Sequence, residues 1–180
     1  VLADREIEPF RQNLILTERK LQESNDEELR RIRIRLLKEI NSRELELYRQ
    51  KADRYPEDMN HRYEVGVRLL RADQVDEAIR ELQTARAETR LRWKCALYLG
   101  RCFLARKNWK LAKRNFEEAL QNLPDHHLDV RKDILFQLAS GCASTDDLNE
   151  ALEWANELAN LDFSYQNIGQ LIDDWEARLS

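Results

Sequence analysis

The sequence predicts an all-α protein, and three observations lead to that class. The 180 residues contain only 4 Gly and 3 Pro, which is little material for the turns of an all-β fold. The strong helix formers Leu, Glu, Arg, Ala and Lys dominate the composition. Apolar residues also recur at steps of three and four, as in Ile7, Phe10, Leu14 and Leu21, which is the spacing of one helix face.

Residues 1–55 are expected to form an N-terminal helical hairpin. The first helix covers residues 7–21, with Pro9 in its first turn. The second covers about residues 26–54 and has apolar residues over more than half of its circumference, so it packs on two sides. Two pairs in the turn ESNDEE could form the capping box of the second helix: Ser24 with Glu27, or Asn25 with Glu28.

A repeated pattern with a period of 34 residues follows the hairpin. Small and large residues return at fixed offsets, and a third copy begins 39 residues after the second. The small residues let two helices of one unit approach each other closely, and the large ones fill the space that remains. Such a period indicates helix–turn–helix units that stack into an array. The structural positions of the pattern are Gly66, Ala78, Leu82, Ala85, Gly100, Ala112, Phe116, Ala119, Pro124, Ala139 and Ala151.

The pattern resembles the tetratricopeptide repeat family. The resemblance implies a right-handed α-solenoid with three repeats in residues 56–166, at about 59–92, 93–126 and 132–165. The amphipathic segment 167–180 would be the capping helix that closes it, and the whole chain would be one continuous domain. The turn glycines of the family are missing: Asp73, Lys107 and Asp146 take their places.

The resemblance also implies a concave groove, lined by the first helix of each repeat, that binds a peptide or an amphipathic helix. Lys94 and Arg101 would orient the acidic flank of the partner. Its apolar side chains would be buried against Tyr63, Val67, Leu70, Leu97, Leu104 and Phe136. The carboxylate clamp of chaperone-binding relatives is not expected, because Tyr63 and Val67 replace its Lys and Asn. An equally weighted alternative is that residues 1–55 fill the groove internally. The groove positions are Asn60, Tyr63, Val67, Leu70, Arg71, Lys94, Leu97, Arg101, Leu104, Phe136 and Ser140, and the third repeat also places Asp133 on this face.

Charge is distributed unevenly along the chain, although its net value is only −4. Nine basic and no acidic residues lie between Glu88 and Glu117, whereas residues 125–180 hold 3 basic and 12 acidic ones. Three interpretations stay open: a solvated face paired with acidic neighbours, a site for an acidic protein surface, and, least favoured, nucleic-acid binding with Trp93 and Trp109 as stacking residues. The acidic surface could belong to a second copy, giving a homo-oligomer. The basic patch includes Arg106, Lys107, Lys110, Lys113 and Arg114.

No catalytic or cofactor motif occurs in the sequence, so neither an enzyme nor a cofactor is expected. The cluster Asp125, His126, His127 and Asp129 is interpreted as a solvated helix start with Asp125 as N-cap, and not as a metal site. The three cysteines are expected to be buried thiols in a reducing, cytoplasmic compartment. No segment is apolar enough to span a membrane.

The start of the sequence, with no Met, suggests a piece of a longer protein. The expected function is that of a non-catalytic protein–protein interaction module, a scaffold or adaptor.

Overall fold

The computed structural model describes residues 2–179, and all regular structure in this range is helical. The prediction of an all-α fold is therefore confirmed. The helices pack in consecutive pairs along the chain. By its internal contacts the chain divides into two compact units, with the boundary between Ala87 and Glu88.

The first unit contains four helices. Their bounds are α1, Leu2–Glu23; α2, Glu27–Arg54; α3, Met59–Arg71; and α4, Val75–Ala85. Helix α2 packs against both α1 and α3, as its wide apolar stripe predicts, and α3 packs against α4. Ile7, Ile40 and Leu47 form a buried cluster between α1 and α2, with Phe10 and Leu14 packed at its side.

The second unit contains five α-helices and two short 3₁₀ turns. The helices are α5, Arg92–Ala105; α6, Trp109–Asn122; α7, Leu128–Ser144; α8, Leu148–Leu161; and α9, Ile168–Leu179, and the 3₁₀ turns cover Thr89–Leu91 and Tyr165–Asn167. Phe116 is fully buried in a cluster that also holds Ala96 and Ile134. A second cluster extends through α7, α8 and α9 and ends at Trp175.

Each predicted repeat contains one pair of antiparallel neighbours: α3 with α4, α5 with α6, and α7 with α8. The glycine of a repeat faces the large apolar residue of the same repeat. A Cβ atom added at Gly100 would lie 2.6 Å from Cε1 of Phe116, and one at Gly66 would lie 2.7 Å from Cγ of Leu82. The small residues of the pattern that lie in the second helix of each repeat are fully buried: Ala78, Ala112, Ala119 and Ala151. The spacing of small and large residues thus has a direct steric cause.

The start of α1 differs from the sequence prediction. Pro9 was expected in the first turn, but the helix begins at Leu2 and Pro9 lies inside it. The residues before Pro9 include Leu, Ala, Arg and Glu, which favour helix and extend it towards the N-terminus. The missing N–H of Pro9 removes one hydrogen bond without ending the helix.

Two predicted helix caps are also wrong. The second helix begins at Glu27, so its N-cap is Asp26, whose carboxylate accepts a hydrogen bond from Glu28 N at 2.8 Å. Neither of the proposed capping boxes occupies that position. Helix α7 begins at Leu128 with His127 as N-cap, which leaves Asp125 two residues too early to cap it.

Candidate functional site

Ion pairs between alternate helices organise the second unit. Arg101 on α5 donates to Asp133 on α7 at 2.8 Å. Lys113 on α6 pairs with Glu150 on α8. Side chains of α5 therefore reach α7, and side chains of α6 reach α8. Positions 101 and 133 both belong to the helix face that the repeat pattern assigns to the groove, so the structure brings these two faces together.

The apolar groove positions of α5 and α7 differ in exposure. Leu97 is only 5% exposed and belongs to the buried cluster around Phe116. Leu104, Phe136 and Ser140 are half-buried. Leu104 and Phe136 thus keep apolar surface in contact with solvent, whereas Leu97 contributes mainly to the core.

The groove positions of the first repeat lie in the other unit. Val67 is buried, Tyr63 and Leu70 are half-buried, and Asn60 and Arg71 are exposed. Asn60 contacts Asp58, the N-cap residue of α3, through both its backbone N–H and its side-chain amide. Asn60 and Arg71 thus lie on the surface of α3, whereas Val67 belongs to the core of the first unit.

Two cations among the groove positions, Arg101 and Lys94, contact side chains of the second unit. The guanidinium of Arg101 pairs with Asp133 and lies 5.0 Å from the ring centre of Tyr98. The ammonium of Lys94 lies 5.6 Å from the ring centre of Trp93. The face between α5 and α7 therefore presents apolar side chains beside a compensated charge pair, in which each side chain keeps about a third of its surface exposed.

One end of this face is closed by residues that the repeat pattern did not single out. The ring of Tyr165 packs edge-on against Phe136, with 6.1 Å between centroids, and Lys132 Nζ lies 5.6 Å from the Tyr165 ring centre. Lys132 also pairs with Asp162 at 3.2 Å. Hydrogen bonds from Ser164, and then from Lys132, lower the pKa of Asp162, while the bond to Asp162 raises the pKa of Lys132. Tyr165 lies in a 3₁₀ turn outside both helices of the repeat, so helical spacing gave no signal for it.

Four of the nine cations in the basic segment form ion pairs within their own unit. Arg90, Arg92, Arg101 and Lys113 pair with Glu88, Glu118, Asp133 and Glu150. Lys107, Lys110 and Arg114 are exposed, as is Arg106, which also has a partner in the chain. The segment therefore combines paired cations with solvent-exposed ones.

The two tryptophans proposed as stacking residues are engaged within the protein. Trp109 lies over Gly141 so closely that a Cβ atom there would overlap its ring, and it packs against both buried clusters of the second unit. Trp109 therefore fills part of the space between α6 and α7, which leaves less of its ring surface for stacking on bases. Trp93 is half-buried, and its ring centroid lies 5.0 Å from that of His127.

The histidines and cysteines of residues 2–179 form neither a metal-binding cluster nor a reactive thiol site. His126 and His127 stack at 4.2 Å between centroids, but no group of three or more His, Cys, Asp or Glu side chains in this range is arranged to hold a metal ion. The cysteines Cys95, Cys102 and Cys142 are free and buried. Burial raises the pKa of Cys102 to about 11 and that of Cys142 to about 12, so both thiols are neutral near pH 7.

The fold and the site define an all-α protein of consecutively paired helices with a partly apolar face between α5 and α7. No family model and no curated protein matches the sequence. Among the helices of the described range, none combines the length and the apolar character that crossing a membrane requires.

Proposed function

We propose that this chain is a non-catalytic protein–protein interaction module that binds an amphipathic peptide or helix on the face between α5 and α7. The observation that carries the proposal is the Arg101–Asp133 pair. It joins α5 and α7 at two positions that the repeat register assigns to one ligand-binding face. The partly exposed Leu104 and Phe136 lie on the same two helices and offer apolar contacts beside that pair.

We further propose that the helical pairs are divergent tetratricopeptide repeats in a right-handed solenoid. The residues in place of the turn glycines support this assignment, since Asp73, Lys107 and Asp146 all have φ near +60°, the conformation that glycine favours. The glycine–aromatic contact of Gly100 with Phe116 supports the same register. The free thiols fit the proposed cytoplasmic location.

The preferred ligand is apolar on one side and acidic at its flank. Leu104 and Phe136 would take its apolar side chains, because covering them removes apolar surface from water. Lys94 carries no carboxylate partner in the described part of the chain and would attract the acidic flank. The Arg101–Asp133 pair would add polar contacts at the centre.

The test is selection of random peptides displayed on phage against three forms of the protein. The peptides retained by the wild type should show apolar residues at steps of three and four and at least one acidic flank. Leu104→Glu should abolish their retention. Leu111→Glu, a matched change of an exposed leucine on α6, should leave retention unchanged. Peptides that bind equally well to Leu104→Glu, or no selected peptides at all, would overturn the proposal.

A further inference from the structure

The N-terminal hairpin extends beyond the helices that pack against it in the first unit. Helix α2 has 28 residues and α3 has 13, which correspond to about 42 Å and 20 Å at 1.5 Å per residue. Asn41 Nδ2 donates to Arg68 O at 3.0 Å, so the end of α3 lies beside the middle of α2. The residues of α2 before Lys38 therefore run about 16 Å past the α3–α4 turn. This projecting part, residues 15–38, is called the arm.

The arm exposes large apolar side chains. Ile15, Leu16 and Ile34 each have about half of their surface in solvent, and Leu37 has 39%. Ile15 lies between Arg11 and Glu18 in α1, and these two residues pair with Glu44 and Arg33 of α2. Leu37 is one turn from Arg33 on α2 and shares this side of the hairpin. Apolar surface of this kind is usually covered by a partner.

The arm carries a small excess of cations. Residues 15–38 contain seven basic and five acidic side chains, and Arg30, Arg31 and Arg33 pair with Glu27, Glu28 and Glu18. The other four cations are exposed and have no carboxylate partner in the described residues: Arg19, Lys20, Arg35 and Lys38. Two of these cations, Arg35 and Lys38, directly follow the exposed Ile34 and Leu37 in the sequence.

The other end of the chain has the complementary character. Residues 125–180 contain 12 acidic and 3 basic side chains, and Glu153, Glu157, Asp173 and Asp174 are exposed on α8 and α9. Large apolar side chains are exposed there as well: Phe163 at 69%, Leu179 at 48% and Leu161 at 47%. This surface on α8 and α9 is called the acidic end.

We propose that the arm of one copy docks on the acidic end of a second copy. Opposite charges bring the two surfaces together, and Ile34 and Leu37 then cover apolar side chains such as Phe163. The unpaired cations of two arms repel each other, and so do the carboxylates of two acidic ends, which works against a symmetric dimer through either surface. The contact is heterologous, so association continues until a ring closes or a filament forms. The arm and the acidic end consist of other residues than the peptide-binding face between α5 and α7.

The experiment is sedimentation velocity of the full chain over a range of concentrations. At about 0.1 M salt the mean sedimentation coefficient should rise with concentration, and at about 1 M salt, where charges are screened within about 3 Å, the rise should be reduced at least several-fold. The double variant Arg35→Glu, Lys38→Glu and the double variant Asp173→Lys, Asp174→Lys should each remain monomeric. Lys110→Glu, Arg114→Glu makes the same change in net charge as the arm variant at residues that belong to neither surface, and should associate like the wild type.

Mixing the two non-associating variants gives the decisive result. The arm with reversed charge in one variant is negative, and the acidic end with reversed charge in the other variant is positive. These two surfaces attract each other, so association should return in the mixture. A wild type that stays monomeric, or a mixture that does not associate, would overturn the proposal. Binding of the arm to vesicles with anionic lipids, in place of self-association, would overturn it in favour of a membrane surface. Leu104→Glu should not affect association, which separates this test from that of the peptide-binding face.

Discussion

At the scale of single residues, the three turns inside the repeats show how the chain manages without glycine. Asp73, Lys107 and Asp146 have φ values of 60°, 56° and 66°. A left-handed conformation costs most residues about 1–2 kcal/mol, and Asp tolerates it better than Lys because its short side chain can form local hydrogen bonds. Lys107 therefore carries the largest conformational cost of the three.

Lys107→Gly should stabilise the protein. Glycine removes the cost of the left-handed conformation, and its greater freedom in the unfolded chain offsets part of the gain, so we expect an increase of about 0.5–1 kcal/mol. The free energy of unfolding in urea measures it. Lys107→Ala retains a Cβ atom and should change the midpoint little; an equal gain from alanine would show that loss of the lysine charge, and not backbone conformation, is responsible.

Gly100→Ala should destabilise the protein. In an ordinary helix this change is favourable by about 1 kcal/mol, but here the new Cβ would lie 2.6 Å from the Phe116 ring, and overpacking costs about 1–3 kcal/mol. A double-mutant cycle with Phe116→Leu checks the cause by urea unfolding. The alanine should be less harmful in the Phe116→Leu background, and identical costs in both backgrounds would contradict a clash between these two residues.

The buried thiols should make stability depend on pH in the alkaline range. Cys102 and Cys142 have pKa values raised by burial to about 11 and 12, above the 9.0 of an unfolded thiol. The folded state therefore keeps its protons longer, and the stabilisation present below pH 9 is lost as the pH rises towards these values. A Cys102→Ala, Cys142→Ala variant should lose less stability than the wild type between about pH 9 and 11 in thermal unfolding. Equal slopes for the two proteins would contradict this expectation.

At the scale of helices, a buried charge network ties α1, α2 and α3 together. Arg68 and Glu44 are each only 9% exposed and are joined at 3.0 Å, and Glu44 also accepts from Arg11 at 2.7 Å. Arg68 pairs in addition with Glu64, and its guanidinium lies 4.4 Å from the Tyr48 ring centre. Glu44 thus compensates cations from two helices at once.

Glu44→Gln should weaken this junction strongly. The substitution leaves Arg68 with Glu64 as its one remaining carboxylate partner, and weakening a buried ion pair in this way costs up to about 3 kcal/mol. The matched control on the same helix is Glu39→Gln, whose pair with Arg43 is exposed and should contribute less than about 0.5 kcal/mol. Urea unfolding of both variants gives the comparison. Similar costs at the two sites would show that the network around Glu44 contributes no more than a surface pair.

Apolar periodicity predicted which segments are helical, but not where every helix begins. The long second helix was expected over about 26–54 and covers Glu27–Arg54, because its apolar stripe and its turn both mark the limits. The start of α1 was predicted too late, because proline is common in the first turn of a helix but also occurs at later positions. Asp26 caps α2 although two neighbouring pairs fitted a capping box, because several polar residues compete within three positions.

The candidate site was less accessible to sequence reasoning than the helices. The repeat register placed Arg101 and Asp133 on the groove-lining faces of their helices, and in the structure the two side chains form an ion pair. It could not reveal that Leu97 is almost fully buried, that Trp109 covers Gly141, or that Tyr165 closes the end of the face. These contacts depend on how side chains from different helices fill shared space, which spacing along one helix does not determine.

At the scale of the whole molecule, each unit has its own buried core. The clusters around Phe116 and Trp175 consist only of residues from the second unit, and the cluster around Ile7 only of residues from the first. In an array of stacked repeats, stability is the sum of terms within repeats and between neighbouring ones. A cut between Ala87 and Glu88 therefore leaves these cores intact.

Residues 88–180 should fold as a separate polypeptide, because every member of their two core clusters is retained. The fragment should show helical circular dichroism and a cooperative thermal transition. A shorter fragment, 109–180, lacks α5 and so exposes the face of Phe116 that covers Gly100; it should melt without a cooperative transition. If 88–180 also melts gradually, its helices depend on the first unit, and the boundary between Ala87 and Glu88 does not separate independent folding units. If both fragments melt cooperatively, α7, α8 and α9 alone provide a sufficient core, and the packing of Phe116 contributes less to stability than its complete burial implies.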